Sequence, residues 1–505
     1  MNTAGRRTSF PWWLAVAAGL AYLNALEASF QFDDFRVIVD NPKAHGLEAW
    51  WAAMPGIRPL LKLSYALNWS VTPAAFGFHA VNVLLHLANV GLVWRLCAHF
   101  PLPRAWDEGH GERVRLVTTL LFALHPIQTE TVTYISGRSM GLMALFGLAA
   151  LLAWLEAGRH RWPLAWRGLS LVLFAAAVAI KEVALVLPLA LFLFHPSVAA
   201  TRLIRPPLTV GVLLAGLLGL LWLLGYGYLL SAPPPRGLSA NLASETHALF
   251  YLLGQLFQPH ALNIDPDLPE YSGWSPTPTL EATALIALLA YAWSARRRLP
   301  WLFFGLAWWL LLLLPTHSLI PRVDLASERH FYLAALGLYW IAGVALAGLP
   351  ALRPTTRWIG MVAGLTLLGM LFTTLRNADY RDEISLWRAT AARSPGKARV
   401  WNNLGYAHAL AGQAEPARAA FREALRLDPR HDRAARNLRV KLGMREATPA
   451  LVLAPEYQCV GVVMAAQQVL GVVQPGLRKP AGTWHPLAVL QYRRTAFADH
   501  AALLP

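Results

Sequence analysis

Long apolar segments fill residues 11–375 of this chain and alternate with short polar connections that often contain arginine. A helix of about 20 apolar residues is long enough to span a bilayer. The pattern therefore predicts an all-α fold whose first domain, residues 1–375, is polytopic. About eleven spans are predicted, near residues 11–29, 78–98, 115–125, 139–157, 168–180, 183–195, 208–230, 279–294, 299–315, 331–349 and 357–375.

Composition supports the membrane interpretation. Hydrophobic residues make up 56% of the chain and charged residues 14%, whereas soluble domains carry about 25% charged residues. Lys and Arg number 44 against 28 Asp and Glu, a net charge of +16. In a membrane protein such an excess faces anionic lipid from cytoplasmic loops, so nucleic-acid binding is not expected. Cys97 and Cys459 lie far apart, so no disulfide framework is implied.

Arginine clusters occur in alternate connections, which places those connections and the N-terminus in the cytoplasm. The other connections then face outward, as do the residues after the last span. They include two long outer loops, residues 30–77 and 231–278. Within the second loop, His247–Phe257 is expected to lie at the membrane interface as an amphipathic helix without crossing the bilayer.

Residues 376–446 predict a short tetratricopeptide-repeat (TPR) domain. The period is 34 residues, running from Trp387 to Phe421 and from Leu404 to Leu438. One full repeat with two partial ones would form a small groove for a protein or a cap on the membrane body. No structure or function is assigned to the tail, residues 447–505. The residues that carry the repeat are Trp401, Leu404, Gly405, Ala417, Phe421, Ala424 and Pro429.

Charged residues on the outward side are the candidate site. Asp33 and Asp34 follow the first span between two phenylalanines. Carboxylates at a membrane boundary need cations, protons or water to offset their desolvation. The pair is therefore a candidate general base or metal ligand; the alternative is a solvated loop.

Further charged residues lie on the same side. Each alone is explained by an interfacial anchor or a structural ion pair. Together they favour a cavity for a phosphate-linked substrate, because guanidinium groups bind phosphate bidentately and lysine supplies a point charge. These residues are Arg58, Lys62, Glu130, Arg138, Lys181, Glu182, Glu328, Arg329 and His330.

Six segments follow one another in order: FDDFRVIVDNP, RPLLKLSYALNW, FGFHAVNVLLHLANV, LFALHPIQTETVTYISGRS, IKEVALVLPL and SERHFYLAALGLYW. With the repeats behind them, they resemble the transmembrane-and-TPR (TMTC-like) O-mannosyltransferase family and its bacterial relatives, of GT-C glycosyltransferase architecture. The resemblance covers approximately residues 10–440. It implies transfer of a mannose-like sugar from a polyprenyl-phosphate carrier to a protein hydroxyl on the outer face of the membrane.

The same resemblance implies roles for the candidate residues. One carboxylate of Asp33 and Asp34 would deprotonate or orient the acceptor, and the pair is a candidate ligand set for a divalent ion such as Mg²⁺ or Mn²⁺. Arg138, Lys181 and Arg329 would bind the carrier phosphate. Three carboxylates would hold these cations in position, those of Glu130, Glu182 and Glu328.

Two other classes of protein were weighed against the enzyme. A non-catalytic membrane scaffold would recruit envelope or pilus-type proteins through the TPR, and this remains the alternative. A transporter is disfavoured because the charges cluster at one surface instead of at the bilayer midplane in two related halves. The expected location is a bacterial inner membrane with the TPR in the periplasm. The expected partners are the bilayer, the carrier-linked sugar and an acceptor protein.

Overall fold

The computed structural model describes residues 9–53, 56–194, 234–317, 319 and 321–442. This part of the chain is helical and contains no β-strand, which confirms the predicted fold class. The helices of the membrane body are α1 (Trp12–Ala21), α2 (Leu47–Ala53), α3 (Pro59–Val71), α4 (Ala75–Cys97), α5 (Glu108–Leu124), α6 (Thr129–Val132), α7 (Arg138–Glu156), α8 (Pro163–Ile180), α9 (Leu187–Phe194), α10 (Leu238–Gln255), α11 (Pro276–Ala295), α12 (Pro300–Leu313), α13 (Phe331–Ala347) and α14 (Thr355–Asp379). The helices of the repeat domain are α15 (Glu383–Arg393), α16 (Ala398–Leu410), α17 (Ala414–Leu427) and α18 (Asp432–Leu442).

Helices cover the predicted spans within the described residues, and the predicted span 208–230 and the tail 447–505 lie outside them. Five helical segments of the described chain are long and apolar enough to cross a membrane. They are Ala75–Cys97, Ile135–Arg159, Pro163–Ile180, Glu328–Ala347 and Thr355–Asp379. Three shorter apolar segments, Trp12–Ala21, Glu182–Phe194 and Pro300–Leu313, accompany them. The protein is therefore an integral membrane protein. The stretch predicted to lie at the interface is part of α10, which is not among the five.

The membrane body is organised around α13. Of its apolar window 72% is buried, against 17% for α14, so α13 is central and α14 peripheral. Polar side chains join α13 to α4: His86 Nδ1 lies 2.9 Å from the Tyr332 hydroxyl, and Asn89 Nδ2 donates to the same oxygen at 3.1 Å. Such contacts satisfy polar groups that have no access to water, and they hold the central helices in register.

The repeat domain has the predicted helix-turn-helix structure. Helices α16 and α17 form the full repeat, and α15 and α18 provide the partial ones. Gly405 of α16 faces Phe421 of α17, and a Cβ at Gly405 would lie 2.7 Å from carbons of the phenylalanine ring. The small residue thus lets the two helices of the repeat approach each other, as the spacing predicted.

The repeat domain docks directly on the membrane body. Arg399 pairs with Asp265 at 2.5 Å and with Asp324 at 2.6 Å, and Lys397 pairs with Asp265 at 2.6 Å. Asn263 Nδ2 donates to the Ser394 hydroxyl at 2.6 Å. Several charge-assisted bonds share Asp265, which makes the junction specific in geometry. The repeat domain therefore lies against the loops that follow α10 and α12.

Candidate active site

Asp34 is buried in the loop after α1, with 1% of its surface exposed. Its Oδ2 accepts the Gln31 N–H at 3.1 Å, and its Oδ1 accepts the Ser136 N–H at 2.8 Å and the Ser136 hydroxyl. Burial raises the pKa of Asp34 to about 7, although the hydrogen bonds to Ser136 and Gln31 oppose this shift. Asp34 thus ties the loop that contains Asp33 and Asp34, called here the acidic loop, to the segment between α6 and α7.

Asp33 has a different environment. Its side chain is 31% exposed, and its Oδ1 lies 3.6 Å from Arg36 Nη2. The Asp33 N–H donates to the Tyr134 hydroxyl at 3.0 Å, which fixes the backbone. The carboxylate itself accepts no hydrogen bond from the described part of the chain. Asp33 is therefore the carboxylate of the pair that a ligand can reach.

A tight turn before α7 brings Tyr134 and Ser136 to the acidic loop. Gly137 passes so close to the preceding short helix that a Cβ would contact the Glu130 carbonyl oxygen and lie 2.8 Å from that of Thr131. Only glycine fits this approach, because any side chain would have to move the backbone. The geometry explains the glycine in the segment LFALHPIQTETVTYISGRS.

Glu130 and Arg329 join this turn to the segment before α13. Glu130 is 1% exposed and accepts the Ser327 hydroxyl at 2.8 Å and the Arg329 N–H at 2.9 Å. The Arg329 Nε lies 3.5 Å from Glu130 Oε1, so the predicted pairing of these two residues is present. The guanidinium of Arg329 also interacts electrostatically with Asp33. The acidic loop and Arg329 are therefore close enough to interact electrostatically.

Lys181 and Glu182 lie at the corner between α8 and α9. Glu182 forms a bidentate pair with Arg58, at 2.6 Å to Nη2 and 3.1 Å to Nε. Lys181 is 5% exposed, and its Nζ lies 3.3 Å from the Ser139 hydroxyl. Burial and the nearby charges of Arg58 and Arg329 lower the pKa of Lys181 well below its usual range. Glu182 thus pairs mainly with Arg58, and Lys181 has few hydrogen-bond acceptors.

Glu328 pairs with a residue that the sequence did not mark. Its carboxylate lies 3.2 Å from Arg376 Nη2, and both side chains are at most 3% exposed. Arg376 Nη1 pairs with Asp379 at 2.8 Å, and Asp379 pairs with Arg393 of α15 at 2.8 Å. Arg376 stands at the end of an apolar span, where arginine ordinarily anchors a helix at the interface, so pattern alone does not single it out. Tyr380 lies four positions after Arg376, and the Arg376 guanidinium carbon lies 5.1 Å from the centroid of the Tyr380 ring. This spacing is the sequence signal that could have identified Arg376.

Several cationic or titratable side chains lie near Lys181 and Arg329. His330 is 5% exposed, and neither of its ring nitrogens has a hydrogen-bond partner among the described residues. Arg322, also missed in the sequence, interacts electrostatically with Arg329 and Glu182 but makes no side-chain hydrogen bond within the described residues. A buried donor without an acceptor is unfavourable by about 1–3 kcal/mol. The four residues interact electrostatically and form a group suited to an anion, called here the cation pocket: Lys181, Arg322, Arg329 and His330.

Arg138 does not open onto this pocket. It is fully buried and donates to Asn82 Oδ1 at 2.7 Å, Asn68 Oδ1 at 2.8 Å and the Phe78 carbonyl oxygen at 2.9 Å. These bonds clamp α3 and α4 to the start of α7, so the geometry supports a structural role for Arg138 instead of the predicted phosphate contact. Lys62 is half-buried on α3 and has no carboxylate partner in the part of the chain described.

The two acidic residues differ in the oxygens that they leave for a metal ion. Both oxygens of Asp34 already accept protein hydrogen bonds, and only Asp33 has its oxygens available. In the described ranges, no three His, Cys, Asp or Glu side chains come together as metal ligands. Divalent magnesium is often held by one or two carboxylates plus substrate phosphates. The Mg²⁺ or Mn²⁺ ion therefore stays a prediction.

A cleft of about 580 Å³ opens between α10, the start of α11 and α15. On its wall, His247 pairs with Glu281 at 2.9 Å. The amide oxygen of Gln255, a residue 4% exposed, has no hydrogen-bond partner in the ranges that the structure describes. Tyr251 lines the cleft and interacts electrostatically with Glu328. The cleft thus adjoins the charged site from the side of the repeat domain.

These features define a polytopic, all-helical membrane protein with a charged site at one end of its helical body and a repeat domain docked beside it. The family model for the tetratricopeptide repeat matches residues 398–431, which are α16, α17 and the turn that follows. No solved structure shows significant similarity to the chain.

Curated relatives cover the membrane body as well. The protein O-mannosyl-transferase Tmtc3 of Drosophila melanogaster is 25% identical over 82% of this chain and 54% of its own length. Human TMTC4, also a protein O-mannosyl-transferase, is 26% identical over 78% of this chain and 64% of its own. Drosophila Tmtc2 is 28% identical over 56% of this chain and 33% of its own length. The chain is thus similar to TMTC proteins along most of its length, and the matches span about a third to two thirds of these relatives' own length.

Proposed function

We propose that this protein is a membrane glycosyltransferase that moves a mannose-like sugar from a polyprenyl-phosphate carrier to a hydroxyl of a protein. The observation that carries the proposal is that Asp33, a reachable carboxylate, interacts electrostatically with Arg329 of the cation pocket. A base beside an anion site is what transfer from a phosphate leaving group requires. The names of the relatives, protein O-mannosyl-transferases, support the same reaction.

In the proposed reaction the Asp33 carboxylate takes the proton of the acceptor hydroxyl. The hydroxyl oxygen forms a bond to the anomeric carbon of the sugar while the bond from that carbon to the carrier phosphate breaks. The phosphate leaves with the bonding electron pair. Lys181 and Arg329 stabilise the charge that develops on it, because they are held in place before the reaction and have few competing acceptors. A single displacement of this kind inverts the anomeric configuration.

Asp34 supports this base without replacing it. Its oxygens are occupied by Ser136 and Gln31, and it is 1% exposed, so an acceptor hydroxyl has no approach to it. The acceptor would reach Asp33 from the side of the repeat domain, where the cleft beside α15 offers hydrogen-bonding groups. Acceptor choice would then depend on the cleft and on the TPR together.

We place the site at the outer face of a bacterial inner membrane. The acidic loop and the repeat domain touch one another, so they share one side of the membrane body. The arginine clusters between α7 and α8 and between α11 and α12 belong to the other set of connections and favour the cytoplasm. A polyprenyl-phosphate carrier would enter from the lipid with its phosphate at the level of the cation pocket.

The test uses the purified full-length protein in lipid nanodiscs with polyprenyl-phosphate mannose and envelope proteins as acceptors. Mass spectrometry should find hexose on protein hydroxyls. Lys181→Met should raise the donor concentration for half-maximal rate by about 10-fold or more, the loss of one charge-assisted bond. It should not lower thermal stability, because methionine has a similar length and removes a desolvated charge.

Arg161→Ala, at an exposed position in the connection before α8, is the matched loss of a cation outside the site and should transfer normally. If Lys181→Met binds donor normally, the cation pocket is not the phosphate site. If the parent transfers no sugar while its TPR retains an envelope protein, the scaffold alternative is correct and the enzyme proposal is wrong.

A further inference from the structure

Phe32, the residue directly before the two aspartates, has a left-handed backbone with φ of 47°. A bulky L-residue is strongly disfavoured there, because its Cβ crowds the carbonyl oxygen that follows. Glycine or asparagine would adopt the turn with less strain. Such strain persists only where surrounding contacts enforce it, and it clusters at functional sites.

The contacts that enforce it come from the repeat domain. The Phe32 N–H donates to Glu383 Oε1 at 2.8 Å. The Phe32 ring packs edge-on against Trp387, with ring centroids 5.2 Å apart and planes at 79°. Both partners belong to α15, one turn apart. The first repeat helix therefore holds the residue that precedes Asp33 by its backbone and by its side chain.

Neighbouring bonds extend the same junction. The Ser29 N–H donates to the Arg381 carbonyl oxygen at 3.1 Å, and the Gln31 side-chain amide donates to the Tyr380 carbonyl oxygen. On the other side, Tyr134 and Ser136 hold the loop from the membrane body. The acidic loop is thus held by contacts from both domains, and neither domain alone accounts for its conformation.

We infer that Glu383 is a positioning residue for the transfer reaction and that α15 of the repeat domain completes the active site. The inference rests on the proposed role of Asp33. Glu383 does not touch the reacting atoms; it holds Phe32 in the left-handed turn that aims the Asp33 carboxylate. Small misplacements of a reacting group reduce rates about 100-fold. The TPR is then more than an adaptor for other proteins, since its first helix shapes the catalytic loop.

The test compares Glu383→Ala with Glu383→Gln in the full-length protein. Alanine removes the acceptor for the Phe32 N–H, and kcat per folded molecule should fall about 10-fold to 100-fold with the donor KM unchanged. Glutamine keeps an acceptor oxygen at the same reach and should restore most of the rate. Glu423→Ala removes a carboxylate from exposed α17, where its partner is Arg426, and should leave kcat unchanged.

A second readout does not depend on sugar transfer. Hydrogen exchange at the amides of Phe32 and Asp33 should speed up in Glu383→Ala and return to the parent rate in Glu383→Gln. Unchanged exchange and kcat in Glu383→Ala would overturn the inference, as would an equal loss of kcat in the glutamine variant. If the parent transfers no sugar but the exchange rates change as expected, the proposed function is wrong. The contact by which Glu383 of α15 holds Phe32 is then still supported.

Discussion

Replacing Asp33 or Asp34 with asparagine should separate the reacting carboxylate from the one that shapes the loop. Asparagine keeps the size and one acceptor oxygen but removes the charge and the basicity. Asp33→Asn should lower the transfer rate about 100-fold to 10,000-fold, the usual contribution of a general base. Its stability should change by less than about 1 kcal/mol, because the Arg36 partner is 66% exposed.

Asp34→Asn should act mainly on stability, in a direction that depends on pH. Burial raises the pKa of Asp34 from 3.8 to about 7. At pH 7 this shift disfavours the folded protein by about 4 kcal/mol, at roughly 1.36 kcal/mol per pKa unit. Asparagine avoids this term but leaves the Gln31 N–H without an acceptor, which is unfavourable by about 1–3 kcal/mol. The variant should therefore be at least as stable as the parent at pH 7.

The sign reverses in acid. Because the folded pKa of Asp34 is the higher one, its contribution to stability is complete below about pH 4 and is lost as pH rises toward 7. At pH 4 the only remaining difference is the hydrogen bond that the asparagine variant has lost. The variant should therefore be less stable than the parent at this pH. Thermal unfolding in nanodiscs between pH 4 and pH 8 should show the two curves crossing.

Rate and stability together decide between the two carboxylates. Single-turnover transfer at saturating donor should leave Asp34→Asn within about 10-fold of the parent, since general-base losses are larger. A loss in Asp34→Asn as deep as in Asp33→Asn, at equal folded amounts, would show that the buried residue reacts. Normal transfer by Asp33→Asn would refute the assignment of the base altogether.

Two further substitutions test the surrounding structure. Gly137→Ala should destabilise the protein by about 1–3 kcal/mol by thermal unfolding, because its Cβ would lie 2.8 Å from the Thr131 carbonyl oxygen. Gly141→Ala, whose Cβ would meet its nearest neighbour at 3.7 Å, is the control and should be neutral; equal effects would contradict the close approach. Arg138→Lys should lower stability by about 1.5–3 kcal/mol while the donor KM stays unchanged. A raised donor KM at unchanged stability would instead place Arg138 at the carrier phosphate.

The sequence by itself determined the architecture, because its signals are local. Helix α13 was predicted from one apolar run, and the α16–α17 hairpin from a 34-residue period that includes Gly405 and Phe421. Span length and repeat spacing need no knowledge of what packs against what. The position of Asp33 and Asp34 just after the first span was likewise readable, since a charge in that place is unusual whatever surrounds it.

Only the tertiary structure decided the partners of the charges. Glu182 pairs with Arg58, 124 positions away, and Glu328 pairs with Arg376, 48 positions away, instead of with its chain neighbour Arg329. Arg138, which was predicted from the sequence to bind a phosphate, donates its hydrogen bonds to neutral acceptors inside the helical body. A buried charge is stabilised by whichever partner the packed helices bring within reach, and sequence adjacency does not report this distance.

The contact between Phe32 and Glu383 shows the same limit most clearly, because it joins residues 351 positions apart in different domains. Neither the aspartate pair nor the repeat pattern indicated that the first repeat helix would hold the acidic loop. Docking of the repeat domain depends on shape and on paired charges such as Asp265 with Arg399, which come together only in the folded chain. Local patterns determine which helices form, and the three-dimensional packing of those helices determines which side chains meet at the site.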